Sequence, residues 1–412
     1  MQSSKKASRN KEKAGKKAAG PGPMPSDALG GTALLAVPLF VVMIAALIGA
    51  ADWARSDVEG CCFFPLRLFL FLVLDSAFSP VCNALFLHPA RSLAACLPGT
   101  LHEEPPPQSL LPSMSELLHN DETIKWPLMI DRIPEEWVRL AHGRKQPFFL
   151  NHVRGATRLK QAAIRLGAAL ATVLAIITMC KVVERRPLAA VSYMSSFTVM
   201  DVAFGVVTGA CCITALFLAE WHLGWIVPTH MFETVVPGER WSLNILWDVV
   251  FHMGVTFNEE LLLRGWMLHS TAEACAAYFG TTSGMSLLVA SVAESLLFAA
   301  MHSSSPGSSA IGLLNLTIGG MAAALNVVLS GGLSFSLGWH FSWNIFMGHL
   351  LGLSTSGIPM SSKLICVVPH PEKARLHGGT FGPEQSVLAP AAYLLGCAML
   401  FGFYGLSALS AS

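Results

Sequence analysis

Charged side chains are scarce in this sequence: Asp, Glu, Lys and Arg together make up 13% of its 412 residues, about half the usual share of a soluble domain. Apolar residues make up 53%, which is typical of membrane proteins and disfavours both a soluble globular enzyme and a disordered chain. The formal net charge is +1, so there is no basic field to attract nucleic acid. The 10 cysteines include no C-x-x-C pair, which argues against a zinc ribbon or a thioredoxin-type site.

The N-terminal part is predicted to hold a tail and an anchor. Residues 1–31 are rich in Lys, Gly and Ser without apolar periodicity, which indicates a disordered basic tail. Residues 32–51 are apolar and long enough to cross a bilayer as a signal anchor, with the basic tail on the cytosolic side; a transit peptide is the alternative. Residues 52–160 are predicted to be irregular and extramembrane, except for an apolar segment at 62–87 that either spans the bilayer or lies on its surface.

The rest of the chain predicts an all-α, polytopic transmembrane helix bundle. Long apolar runs are expected to span at residues 161–180, 196–219, 243–268, 283–302, 308–329, 333–353 and 387–408. With the anchor, this makes about eight spans. Residues 161–240 are predicted to be accessory helices, and residues 241–412 to be the functional core.

Two adjacent carboxylates and an arginine lie near the end of the apolar run at 243–268. A charge at the centre of a bilayer costs at least about 2.5–3.5 kcal/mol, so such residues call for a reason. Glu260 and Arg264 are four residues apart and are expected to pair on one helix face. Glu259 points about 100° away from Glu260 and is therefore a candidate general base. A buried ion pair that merely holds the helix register is the alternative interpretation.

Two further polar patterns follow on later apolar runs. The run Phe298-Ala-Ala-Met-His302 ends a hydrophobic helix, where a histidine can also simply cap the helix dipole. His340 and Asn344 project from one helix face, where either could instead hydrogen-bond a neighbouring helix. Together the three patterns supply the base, the water-polarising groups and the oxyanion donor that hydrolysis needs. Glu259, His302 and His340 are also a workable zinc ligand set, although the sequence has no H-E-x-x-H helix.

The patterns E-E-x-x-x-R, F-x-x-x-H and H-x-x-x-N, in this order on successive helices, resemble the CPBP family of intramembrane proteases. That family includes the CaaX prenyl endopeptidases of the Rce1 type. The resemblance covers roughly residues 241–409. It implies that Glu259 and His302 activate the attacking water, and that His340 and Asn344 stabilise the oxyanion.

The resemblance also implies that Glu260 and Arg264 shape and hold the site. It leaves two mechanisms open, one with Zn or another divalent metal on Glu259, His302 and His340, and one with a metal-free glutamate base. The implied partners are the lipid bilayer and a membrane-associated or prenylated protein substrate. The rival functions are a proton-coupled transporter and a catalytically silent scaffold.

Other polar residues of the apolar core fall outside these patterns. Glu294 lies two turns before the end of its helix, and we expect it to pair with another intramembrane group, for which His252 is one candidate, or to line a path for water. His252, His269 and His349 are expected to be structural or interfacial. The anchor and basic tail suit the endoplasmic reticulum of a eukaryote or the inner membrane of a bacterium, with a plastid as a further option.

Overall fold

A computed structural model describes residues 64–96, 158–185, 187–188, 197–234, 240–358, 360 and 362–411. The predicted basic tail at 1–31 and the predicted anchor at 32–51 lie outside the described residues. Most of the predicted extramembrane segment at 52–160 also lies outside them. These assignments therefore stay predictions.

Helices dominate the described residues, which confirms the helical fold class expected from composition. In chain order the α-helices are α1 (Phe64–Cys96), α2 (Arg158–Thr178), α3 (Val199–His222), α4 (Trp241–Glu260), α5 (Leu268–Phe279), α6 (Ser283–Met301), α7 (Ala310–Ser330), α8 (Ser334–Ile345), α9 (Ala374–His377) and α10 (Ala389–Ala411). Three π-helical segments extend or join them, at Met179–Val183, Leu261–Met267 and Phe346–Leu350.

Five helices in the described part of the chain are long and apolar enough to cross a membrane. Their spans are Leu70–Leu87, Arg158–Val183, Val199–His222, Ser283–Met301 and Ala310–Ser330. The first of them lies in the segment 62–87 that the sequence left undecided. The predicted total of eight spans is not confirmed.

Three other predicted spans, at 243–268, 333–353 and 387–408, are not among these five helices. The region 243–268 is helical throughout, but its charged and polar residues lower its hydropathy. In the region 333–353, α8 and its π-helical extension end at Leu350 after 17 residues. Helix α10 extends over Ala389–Ala411, and Ala389–Tyr404 is its apolar stretch among the residues whose side chains the structure describes.

A two-stranded antiparallel sheet is the feature that the all-α prediction did not contain. Strand β1 (Ile226–Thr234) lies between α3 and α4, and strand β2 (Ser362–Pro369) follows the π-helical end of α8. The register shifts between Pro228 and Met231, where β1 has one residue more than β2. Such a bulge redirects the side chains around it.

Small residues let α3 and α8 pack backbone to backbone. A Cβ atom added at Gly205 would lie 2.2 Å from the carbonyl oxygen of Phe335, and one at Gly338 would lie 2.1 Å from that of Val202. Apolar helices gain little from hydrophobic burial inside a lipid bilayer, so close van der Waals contact of this kind is what holds them together. The G-x-x-x-G spacing of Gly205 and Gly209 therefore serves helix packing.

Aromatic side chains complete the packing around α8. Phe335, Trp339 and Trp343 are all buried. The Trp343 ring stacks on Tyr393 of α10 with centroids 5.1 Å apart, and the Phe335 ring lies 5.4 Å from that of Phe204 on α3. Helix α8 is thus held on two sides, and its remaining polar face is directed towards α4.

We expect Gly338→Ala to lower the free energy of unfolding by about 1–3 kcal/mol, because the added methyl group meets backbone atoms that cannot rotate away. Gly284→Ala is the matched control, since a Cβ atom at that helical glycine meets nothing within 4 Å. Denaturant titration of the purified protein in detergent measures both values. Equal stability of the two variants would contradict the close contact between α3 and α8.

Candidate active site

Three elements position the six residues singled out from the sequence. Glu259 and Glu260 end α4, and Arg264 lies in the π-helical segment Leu261–Met267 that follows. His302 comes directly after α6, while His340 and Asn344 both lie on α8. Single-turn π-helical insertions in α-helices occur frequently at functional sites.

The Glu260 carboxylate is the centre of a buried polar network. Its Oε1 atom lies 3.2 Å from a terminal guanidinium nitrogen of Arg264 and 2.8 Å from Nδ1 of His340. The Ser336 hydroxyl donates to Oε2 at 2.6 Å. Because a carboxylate only accepts, Nδ1 of His340 carries the proton and donates it. The opposite nitrogen of the ring, Nε2, is thereby directed towards Glu259.

Arg264 is buried and contacts a second carboxylate. Its Nε atom lies 3.5 Å from Oε1 of Glu294, and its guanidinium carbon lies 4.9 Å from the centroid of the Phe298 ring. The candidate partner for Glu294 named from the sequence was His252, and that pairing is wrong. His252 instead lies 3.1 Å from His349, measured between their Nε2 atoms.

Glu259 differs from its neighbour in exposure. Its side chain is 17% exposed, against 1% for Glu260. Its Oε2 atom lies 3.6 Å from Nε2 of His340, so this candidate general base faces an imidazole. Water can therefore reach Glu259 more readily than Glu260.

His302 presents one free ring nitrogen. Its Nδ1 atom lies 2.8 Å from the carbonyl oxygen of Phe298; a carbonyl only accepts, so Nδ1 donates and Nε2 keeps its lone pair. The rings of His302 and His340 lie 4.8 and 6.4 Å from that of Phe298, measured between centroids. The two imidazoles thus flank one aromatic ring.

The three predicted metal ligands do not form a ready-made ligand set. The described residues do contain one group whose ligand atoms all lie within 4.8 Å of one another. It consists of His230, Glu233 and Cys366, on the two-stranded sheet. Glu259, His302 and His340 are not gathered in this way. The arrangement around Glu260 is a hydrogen-bonded ion-pair network.

A cavity opens beside this network, and its lining combines polar and apolar side chains. The polar lining residues are Glu260, Arg264, His340, Asn344 and Glu384. The apolar and small lining residues are Phe298, Leu316, Gly319, Ala323, Trp339, Trp343 and Tyr393. One space therefore offers charged and hydrogen-bonding groups together with aromatic and aliphatic walls.

Glu384 is a cavity residue that the motifs did not single out. It lies in the segment between α9 and α10, and its Oε2 atom accepts hydrogen bonds from the backbone N–H and the hydroxyl of Ser356, at 2.8 and 2.7 Å. Burial raises the pKa of the Glu384 carboxyl above its ordinary value, against the opposing effect of these hydrogen bonds. In the sequence it ends the stretch His377-Gly-Gly-Thr-Phe-Gly-Pro-Glu384, which resembles the bacterial branch of the CPBP family.

We expect Ser336→Ala to lower the free energy of unfolding by about 1.5–3 kcal/mol, since hydrogen bonds to charged groups contribute this much. Ser342→Ala is the matched control: this serine is also buried on α8, but its hydroxyl donates to the backbone oxygen of Trp339 in the same helix. Denaturant titration in detergent compares the two. A loss no larger for Ser336→Ala than for the control would show that the Ser336–Glu260 bond does not stabilise the fold.

Comparison with known families supports the interpretation of this region. Residues 240–346 match the family model described as type II CAAX prenyl endopeptidase Rce1-like. This range contains all six residues singled out from the sequence and ends before Glu384. No curated protein and no solved structure matches the chain.

Proposed function

We propose that this protein is an intramembrane endopeptidase that cleaves membrane-associated substrates with a lipidated, CaaX-type C-terminus, since residues 240–346 match the Rce1-like family model. The observation that carries the proposal is the cavity beside the Glu260 network. Its lining combines the polar residues of that network with aromatic and aliphatic side chains. A peptide bond next to a lipid chain needs both environments in one place.

Glu259 is proposed as the general base, assisted by His302. The Glu259 carboxylate takes a proton from water as the water oxygen attacks the scissile carbonyl carbon, and the proton then passes to the leaving amine as the C–N bond breaks. Two observations favour this assignment: Glu259 is the more exposed of the paired carboxylates, and the Nε2 atom of His302 is free to accept a proton or to hold the water. The proposed steps use these side chains alone.

His340 and Asn344 are proposed to stabilise the oxyanion. Both line the cavity and lie one turn apart on α8, so their N–H groups can converge on one oxygen. When both of its ring nitrogens are protonated, His340 donates Nδ1–H to Glu260 and presents Nε2–H to the developing charge. Glu260 and Arg264 are then positioning residues, because they orient His340 without touching the substrate.

The apolar lining residues of the cavity are proposed to hold the lipid chain of the substrate. Trp339, Trp343 and Tyr393 supply flat apolar walls, and the small residues Gly319 and Ala323 leave room between them. Each buried CH₂ group of a lipid chain contributes about 0.8 kcal/mol. A prenyl group therefore both anchors the substrate in the membrane and places the peptide bond beside the polar residues of the cavity lining.

We expect Glu259→Gln and His302→Ala to lower the rate of cleavage of a prenylated CaaX peptide by about 10²–10⁴-fold, the usual contribution of general acid–base catalysis. Glu273→Gln is the control, since Glu273 pairs with His269 away from the cavity. Mass spectrometry of the released C-terminal fragment measures the rate with the protein reconstituted in lipid vesicles. Cleavage by the variants at the parent rate contradicts the assignment, and solute movement without cleavage favours a transporter.

We expect Ala323→Phe to raise the KM for a prenylated peptide about tenfold or more, because excluding two CH₂ groups from the cavity costs about 0.8 kcal/mol each. Leu325→Phe is the matched control on the same helix, at a position that is 43% exposed. Steady-state kinetics with farnesylated and geranylgeranylated peptides measure the effect. An unchanged KM for both peptides would place the lipid chain elsewhere.

A further inference from the structure

We propose that His230, Glu233 and Cys366 form a binding site for a zinc-type divalent cation on the two-stranded sheet, separate from the cavity. The three side chains come from both strands, and none of them lines the cavity around Glu260. The site does not depend on the proposed peptidase activity. Its role is to join the two strands.

The distances between the three ligand atoms suit one small cation. Oε2 of Glu233 lies 3.8 Å from Nε2 of His230 and 2.8 Å from Sγ of Cys366, and all three ligand atoms lie within 4.8 Å of one another. A tetrahedral zinc ion with Zn–N and Zn–O of about 2.0–2.1 Å and Zn–S of about 2.3 Å places its ligands about 3.3–3.6 Å apart. Side-chain adjustments of about 1 Å therefore suffice to complete the site.

A hydrogen-bond chain orients the histidine for such a cation. The Thr229 hydroxyl donates its single proton to the carbonyl oxygen of Cys366 at 3.2 Å. It must therefore accept from Nδ1 of His230, which lies 3.1 Å away. Nε2 then carries a lone pair that faces the Glu233 carboxylate. Two atoms with lone pairs, Nε2 of His230 and Oε2 of Glu233, therefore face each other. The hydrogen bond to Thr229 fixes the orientation of the ring, as is usual for metal-bound histidines.

The backbone is shaped so that these side chains meet. Residues three apart on a regular strand point to opposite faces of the sheet, yet His230 and Glu233 face each other. The positive φ of Phe232, 63°, lies between them and breaks the alternation, and the extra residue of β1 comes just before, between Pro228 and Met231. Such a φ is rare and strained for a bulky residue. The Phe232 ring packs edge-on against Trp241, with centroids 5.1 Å apart.

The ligand types favour zinc over calcium or magnesium. A thiolate and an imidazole are soft or borderline ligands that select zinc, whereas calcium and magnesium prefer oxygen. Binding replaces the thiol proton of Cys366, which is released to solvent as the S–Zn bond forms. Lys363 lies opposite Glu233 in the sheet, so its ammonium group competes with the cation for this carboxylate. Three protein ligands leave the fourth position to water.

The position of the site gives it a structural purpose. β1 ends at Thr234, shortly before the Rce1-like segment begins at residue 240, and β2 begins at Ser362, after that segment ends at residue 346. A cation bound to both strands therefore connects the stretch of chain before the Rce1-like segment with the stretch after it. We expect bound metal to stabilise the fold without taking part in cleavage.

Cobalt binding to the full-length, metal-stripped protein in detergent tests the site. We expect one equivalent of Co²⁺ to bind with an absorption band from thiolate-to-cobalt charge transfer. Cys366→Ser should abolish this band and lower the bound metal by one ion per chain. The control Cys397→Ser, at a cysteine on α10, should leave both unchanged. A band that survives Cys366→Ser, or a parent protein that binds no metal, overturns the proposal.

A variant of Thr229, which holds the His230 ring by a hydrogen bond, separates metal binding from loss of fold. Thr229→Val keeps the shape of the side chain but removes the acceptor for His230, and we expect Co²⁺ and Zn²⁺ affinity to fall about 10–100-fold. Zn²⁺ should raise the unfolding temperature of the parent protein but not that of Cys366→Ser. Loss of the cobalt band in His302→Ala instead would place the metal at the candidate active site and overturn the proposal. None of these readouts depends on peptidase activity.

Discussion

The buried carboxylate of Glu260 sets the arrangement on which the rest of the site depends. A charge removed from water is tolerated only where opposite charge and hydrogen-bond donors surround it, and Glu260 has Arg264, His340 and Ser336 around it. These partners come from the turn after α4 and from α8. Electrostatic contacts therefore fix the end of α4 against α8 at this point. Close backbone packing against α3 fixes α8 along its length.

The same constraint gives two adjacent carboxylates different surroundings. Glu260 is enclosed and contacts Nδ1 of His340, while Glu259, one residue earlier, is more exposed and faces the other nitrogen of that ring. One histidine thus lies between an enclosed carboxylate and one that water can reach. The cavity extends from this point to the walls of α7, α8 and α10, which supports a lipid-bearing substrate, and Glu294 supplies Arg264 with a second counter-charge.

The helical class could be predicted from the sequence, and so could the candidate residues of the patterns E-E-x-x-x-R, F-x-x-x-H and H-x-x-x-N. Both predictions depend on the spacing of residues that are close in sequence. Glu260 and Arg264 meet because residues four apart share a helix face, and His340 and Asn344 share a face for the same reason. The predicted total of eight spans is not confirmed: five helices of the described residues are long and apolar enough to cross a membrane, and the predicted anchor at 32–51 lies outside those residues. The partner of Glu294 was also missed, because it lies on another helix 30 residues away in sequence.

By itself, the sequence determined that the chain is a helical membrane protein with charged residues confined to a few positions of an apolar core, because composition and helical periodicity are local properties. Only the tertiary structure decided which of those residues meet. It placed Glu384 and Tyr393 at the cavity, brought His340 between two carboxylates, and paired the strands that carry His230, Glu233 and Cys366. These contacts join residues far apart in the chain, and their geometry follows from helix packing and from a bulge that no local pattern announces.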